Sequence, residues 1–385
     1  MNNILRRAGG ALLLAAVSLL AACGGGGGTS TSSVNITAVR VFGDSLADSG
    51  TFGLKFTVNA AGPKGTATAI WPELVAATYS KSVCNFYVAT SSTNFVAPQT
   101  ACGNYAVGGG RINSLANTGG PTAPYSIPNQ MDTAAAVVGG PFAATELMLV
   151  DGGGNDAADL FGALLNASTP QGLNNYVGML STLVNPATVT AVLTSGPTGP
   201  AQAGGLYMQA LANKFADDMT AKLLDRGAKR VVVLNAPNIT NTPRFKMVLA
   251  AVAANAGTTT SAGLEATARA WVSTFNQQLA ARLGSDARVG IADFGTEFDN
   301  QMANPTQFGL TNVAKPACPI TGVGTDGLPT YDFSTCTAAS LDALQPSSPG
   351  WWKTYAFSDG FHPTPYGHQL LAQLVARTLA AKGWL

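Results

Sequence analysis

The sequence predicts an α/β fold, a three-layer α/β/α sandwich with a mainly parallel sheet. Two observations carry this reading. Short apolar runs bounded by Gly, Asn or Asp recur along the chain, and helical apolar patterns lie between them. Strands alternating with helices of this length favour a parallel sheet covered on both faces, because each crossover lays a helix back onto the sheet.

Ile36 to Phe42 is rich in β-branched and apolar residues and stops at Gly43-Asp44-Ser45, as a buried strand delivering a turn would. Leu147 to Val150, Val231 to Leu234 and Val289 to Asp293 read the same way. Between them, Leu211, Phe215, Met219 and Leu223 recur every four residues, as do Leu264, Ala268 and Val272, then Phe275, Leu279 and Leu283. A last helix starts after Pro365 and carries Leu370, Leu371, Leu374 and Leu379. The stretches Phe52 to Gln99 and Asp299 to Trp352 lack such periodicity and read as disulfide-stapled insertions that frame a pocket. Ligand sites in these sheets lie beyond the carboxyl ends of the strands, so the ends at Phe42 and Val150 point at one place.

The chain divides by composition. Residues 1–22 hold Arg6 and Arg7 followed by an apolar run from Ala11 to Ala22, the pattern of an export signal and too short to span a bilayer. The run ends in Leu20-Ala-Ala-Cys23, which resembles the bacterial lipobox and implies an acylated Cys23. Residues 23–34 are Gly/Ser-rich, a flexible tether with no means of building a core. Residues 35–385 are expected to form a single folded domain. On this reading the protein is exported and held to a membrane through lipidated Cys23, with the outer membrane expected because Gly24, not Asp, follows the cysteine.

Formal net charge is +1 and only 11% of residues are charged, with no basic run, so nucleic acid is excluded as a partner. Setting Cys23 aside leaves Cys84, Cys102, Cys318 and Cys336, an even number in an exported chain. Three connectivities are open. The local pairs Cys84–Cys102 and Cys318–Cys336 each close a separation of 18 residues, worth roughly 3 kcal/mol in the chain-entropy model. A zinc site would need a Cys-x-x-Cys spacing that is absent, so no metal is expected.

Four segments far apart in the chain together supply what acyl transfer requires. In Gly43-Asp44-Ser45 a serine stands straight after a strand, where its hydroxyl can reach the sheet edge. Asn104-Tyr-Ala-Val-Gly108-Gly109-Gly110 and Asp151-Gly-Gly-Gly-Asn155-Asp156 offer backbone N–H groups and a side-chain amide, the donors of an oxyanion hole. In Asp359-Gly-Phe-His362-Pro363 one of only two histidines follows an aspartate by three residues, and a carboxylate-oriented base is what a serine needs for activation. His368 is expected to be a structural or surface residue. Asp44, Asp48 and Asp156 read as turn-stabilising carboxylates. Trp351, Trp352, Phe357 and Phe361 precede or flank His362 and could wall a pocket, although core packing accounts for them as well.

These segments, in this order, resemble the SGNH or GDSL hydrolases, in particular a secreted bacterial branch of esterases, lipases and acyltransferases. The resemblance implies that Ser45 is the nucleophile, that Asp359 orients His362 as the base, and that Ser45, Gly109 and Asn155 form the oxyanion hole. Gly108 or Gly110 could take the place of Gly109. It also implies a serine carboxylic ester hydrolase without cofactor, acting on a small-molecule or lipid ester. Acyl transfer, phospholipase action and a non-catalytic surface module are the alternatives. An α/β-hydrolase is disfavoured because its Gly-x-Ser-x-Gly elbow is missing, Ala47 standing in the last position.

Overall fold

The four apolar runs form one sheet. In the computed structural model, which describes residues 34–60 and 68–385, they are β1 (Ala38–Phe42), β2 (Glu146–Val150), β3 (Val231–Leu234) and β4 (Val289–Ala292). The export signal, Cys23 and nearly all of the tether lie outside the described residues. All neighbours pair parallel in the order β1-β2-β3-β4. Phe42 is in register with Val150, and Val150 with Val233, so the carboxyl ends of the first three strands reach one edge together.

Two cores explain why β2 and β3 are buried along their whole length. Because side chains alternate across a strand, Phe42, Met148, Val150, Val231 and Val233 enter one core while Val39, Val41, Leu147, Leu149, Val232 and Leu234 enter the other. The first core is closed by α2 (Ile127–Val138), α3 (Gly154–Asn166), α4 (Pro170–Leu180), α5 (Pro186–Leu193), α6 (Gly199–Met219), α7 (Pro243–Ala256) and α8 (Thr258–Leu283). The second is closed by α1 (Trp71–Thr78), α9 (Phe294–Ala303) and α11 (Pro365–Ala381). This is the expected α/β/α sandwich.

Several boundaries differ from expectation. The two apolar series from Leu264 to Leu283 lie on one 26-residue helix, α8, since Val272 and Phe275 are three apart and continue the same face. The series ending at Leu223 runs on past α6 into a single π-helical turn, Thr220–Leu224. The segment read as irregular between Phe52 and Gln99 contains α1, whose eight residues are too few to show a period. Its start is fixed by Pro72 in the first turn and by Glu73, which accepts a hydrogen bond from the Ile70 N–H at 2.9 Å.

The two insertions pack on each other. Val58 joins Cys318, Cys336, Phe333, Leu341 and Trp352 in a third, smaller core, with α10 (Ala338–Leu344) along its side. Asn59 pairs with this unit in both directions, donating to Cys336 O at 3.0 Å and accepting from Ala338 N at 2.9 Å. Disulfides join Cys84 to Cys102 and Cys318 to Cys336, the local connectivity. Trp351 and Trp352 donate their indole N–H groups to Leu341 O and Asp342 Oδ1, both at 2.9 Å. Those bonds assign the two tryptophans to packing of this unit.

Candidate active site

The turn after β1 is held from two sides. Gln130, on α2, accepts the Gly43 N–H through Oε1 at 2.8 Å and donates through Nε2 to the Gly43 carbonyl at 3.0 Å. Asp151, straight after β2, accepts the Asp44 N–H at 2.9 Å. It comes so close that a Cβ on residue 43 would lie 1.7 Å from its Oδ1, which is why glycine stands there. Asp44 in turn accepts the Leu46 N–H at 3.0 Å. The Ser45 N–H, within this tightly bonded turn, has no acceptor among the described residues.

At the other end of the chain, Asp359 gathers three donors. Its Oδ1 accepts the backbone N–H groups of Phe361 and His362, at 2.8 and 2.7 Å, and its Oδ2 lies 2.9 Å from His362 Nδ1. That contact leaves Nε2 as the free lone pair, and Nε2 lies 2.8 Å from Ser45 Oγ across 317 residues of sequence. Burial alone would lower the His362 pKa, but the charge and hydrogen bond of Asp359, helped by Asp44, raise it above the ordinary value. Burial opposes ionisation of Asp359, yet His362 and the backbone donors hold its carboxyl below the usual range. Phe56 lies against the imidazole with ring centroids 5.2 Å apart, and Phe333 meets it edge-on at 5.6 Å.

The glycine run after Val107 is sorted by its hydrogen bonds. The Gly108 N–H donates to Asp48 Oδ2 at 2.8 Å and the Gly110 N–H to Val107 O at 2.9 Å. The Gly109 N–H has no acceptor among the described residues. Gly109 has φ +82°, a conformation open to glycine, and Arg111 Nη1 holds its carbonyl at 2.5 Å. Arg111 is itself anchored on Asp159. Asn155, on the first turn of α3, donates through Nδ2 to Gly110 O at 3.0 Å and stands 3.4 Å from Asp44 Oδ2. The four segments of the sequence therefore meet beyond the carboxyl ends of β1 and β2.

The remaining carboxylates are structural ties. Asp48 also accepts the Gly50 and Thr51 N–H groups, at 2.9 and 2.7 Å. Asp156 accepts from Ile112 and Asn113, and burial pushes its pKa up to about 6. Burial raises Asp44 and Asp151 as well, Asp151 further because the Asp44 charge adds to it. His368 is wholly buried, which excludes the surface placement. Its Nδ1 accepts from the Trp71 N–H at 3.4 Å, and burial drives its pKa down to about 3.

The family model described as GDSL-like Lipase/Acylhydrolase matches residues 39–375. The chain belongs to that family. Membership makes this GDSL protein a hydrolase of the ester-cleaving kind, and its two disulfides suit an exported protein. No curated protein matches the chain. Sequence reasoning did not find Gln130, Arg111, Phe56 or Phe333 in this GDSL site. Gln130 carries no pattern that marks it, since its role depends on α2 passing beside a turn 87 residues earlier. Phe56 and Phe333 lie in the aperiodic insertions, where nothing in the spacing tells a wall residue from a core one.

Proposed function

We propose that this GDSL protein is a serine carboxylic ester hydrolase working through an acyl-enzyme on Ser45. The observation that carries this is the 2.8 Å contact between Ser45 Oγ and His362 Nε2, with Asp359 on the other ring nitrogen. In the first half-reaction Ser45 Oγ attacks the ester carbonyl carbon while its proton passes to His362 Nε2. The imidazolium so formed is matched by the Asp359 carboxylate. The oxyanion is met by the two N–H groups without acceptors, Ser45 and Gly109, and by the Asn155 amide, whose 3.4 Å contact with Asp44 is long enough to yield to a substrate oxygen. His362 then gives its proton to the departing alcohol, and water, deprotonated by the same nitrogen, releases the acid.

A fluorophosphonate probe tests this directly. It should form an adduct on Ser45, and both Ser45→Ala and His362→Ala should lose it. An adduct mapped to another serine, or ester hydrolysis surviving in Ser45→Ala, would refute the assignment.

The lipobox-like Leu20-Ala-Ala-Cys23 and the glycine tether support a second part of the proposal: the protein is exported and held on a membrane surface by acylated Cys23. Intact-mass measurement should find a mature chain beginning at Cys23 with acyl chains attached. A lipid-free chain beginning further along would rule the anchor out.

A further inference from the structure

Three phenylalanines from three segments surround the His362 ring. Phe56, in the first insertion, lies with its centroid 5.2 Å from that of the imidazole and its plane tilted by 32°, within the range of an offset stack. Phe333, in the second insertion, meets the ring at 5.6 Å and 76°, and Phe361, the preceding residue, at 6.2 Å and 72°. The His362 side chain is only 14% exposed. Asp359 answers a positive charge on the ring at Nδ1, and so little exposure leaves few waters to answer it over the ring faces.

The contact with Phe56 is built in. Thr57 Oγ1 donates to Pro363 O at 2.9 Å and the Val58 N–H donates to Ser358 Oγ at 3.1 Å, so the chain next to Phe56 is bonded on both sides of the Asp359–His362 turn. Space for the Phe56 ring exists because residue 108 is glycine: a Cβ there would lie 2.3 Å from Phe56 Cε2. Phe56 is the closest of the three rings to His362, and Phe361 already faces a cation, the Arg244 guanidinium, 5.5 Å from its centroid.

We propose that Phe56 is a positioning residue of the hydrolase, acting through His362: its π face stabilises the imidazolium that forms while Ser45 attacks. The inference rests on the ester-hydrolase reading of Ser45. A cation within about 6 Å of an aromatic centroid is attracted by the negative ring face, most strongly where water is excluded. The neutral imidazole of the resting site gains much less, so the contact acts on the transition state more than on bound substrate. The other ionisable groups around the ring are Asp359 and Asp44, which favour its protonation, and His368 and Tyr331, which stay neutral near neutral pH. Lys55, next to Phe56, turns its amine to Glu73, and Arg244 pairs with Asp326.

A fluorine series at position 56 tests it, because ring fluorines drain charge from the π face while nearly keeping its shape. The full-length protein is made with Phe56 replaced by phenylalanine carrying one, two or three ring fluorines, and separately as Phe56→Leu and Phe56→Tyr. Two readouts are taken. The first is kcat and KM across pH on the fastest ester of a chain-length series from acetate to decanoate. The second is the His362 titration by NMR, which stands alone because the other histidine, His368, is driven down to about 3. Each added fluorine should lower kcat with KM little changed, and should move both the acid limb and the His362 titration to lower pH. Phe56→Leu should lose on the order of threefold to thirtyfold in kcat, the span of one cation–π contact from exposed to desolvated. Phe56→Tyr, which keeps the π face, should retain most of the activity. An acid limb and a His362 titration that stay in place across the fluorine series would overturn the proposal, and so would a loss confined to KM. A fall in Phe56→Leu with no trend across the fluorines would also overturn it, by assigning Phe56 to packing alone. Should the wild type hydrolyse none of these esters, the hydrolase reading falls and this inference with it. Hydrolysis by the wild type with a flat fluorine series removes the inference alone.

Discussion

His362 sits between a carboxylate that favours its protonated form and a hydroxyl that needs its neutral form. Its pKa in the fold lies above the ordinary 6.5, with the Asp359 charge and hydrogen bond outweighing burial. On the proposed mechanism the neutral ring is the base, so kcat/KM should fall as pH drops through a value higher than 6.5, not lower. Asp359→Asn leaves burial as the main influence on the ring. The acid limb should therefore move to lower pH, while turnover falls by on the order of 10⁴. A pH profile of both proteins on one ester checks the two effects together, and an acid limb that stays in place would mean that Asp359 does not set the base. At this scale the meeting of Ser45, His362 and Asp359 was legible in the sequence, because acyl transfer calls for particular residue types. The choice among Gly108, Gly109 and Gly110 was not legible. It depends on which amide the fold leaves without an acceptor, and that follows from where Asp48 and Val107 lie.

Among the elements, the link between the nucleophile turn and the glycine loop matters most. Asp48 bonds Gly50, Thr51 and Gly108 at once, so one carboxylate ties the turn after β1 to the loop that carries Gly109. Asp48→Ala would strand the half-buried Gly50 N–H and the buried N–H groups of Thr51 and Gly108, each of the buried two costing about 1–3 kcal/mol when nothing replaces the acceptor. The variant should melt lower. Where it stays folded it should lose kcat far more than KM, because the donor it displaces acts in the transition state. Stopped-assay kinetics beside a thermal melt separate these effects, and normal kcat in a destabilised protein would confine Asp48 to folding. The strands could be read from sequence because parallel strands covered on both faces are unbroken apolar runs. α1 could not. It is eight residues long, and its identity as a helix comes from Glu73 at its start and from packing against α11.

For the whole molecule, the two stapled insertions act as a wall built onto a generic sandwich. Phe333 lies between Cys318 and Cys336 in sequence and meets the His362 ring, so the second disulfide supports the site as well as its own small core. The double change Cys318→Ser with Cys336→Ser should cost roughly 3 kcal/mol of stability in the chain-entropy model. It should also reduce ester turnover, whereas the corresponding pair at Cys84 and Cys102 should affect stability more than turnover. Melting temperature and turnover measured on both double variants check this, and equal loss of activity in the two would break the link to Phe333.

The separation of 317 positions between Ser45 and His362 carries one more consequence, in the order in which the chain is made. Synthesis passes Ser45 before most of the sheet exists and reaches His362 only after all four strands have been made. Until then, on the proposed mechanism, a growing chain holds Ser45 with no base, and an ordinary serine hydroxyl does not attack esters at neutral pH. On that reading the hydrolase is inert until His362 has been made. It becomes reactive only when the segment at His362 docks against the turn after β1.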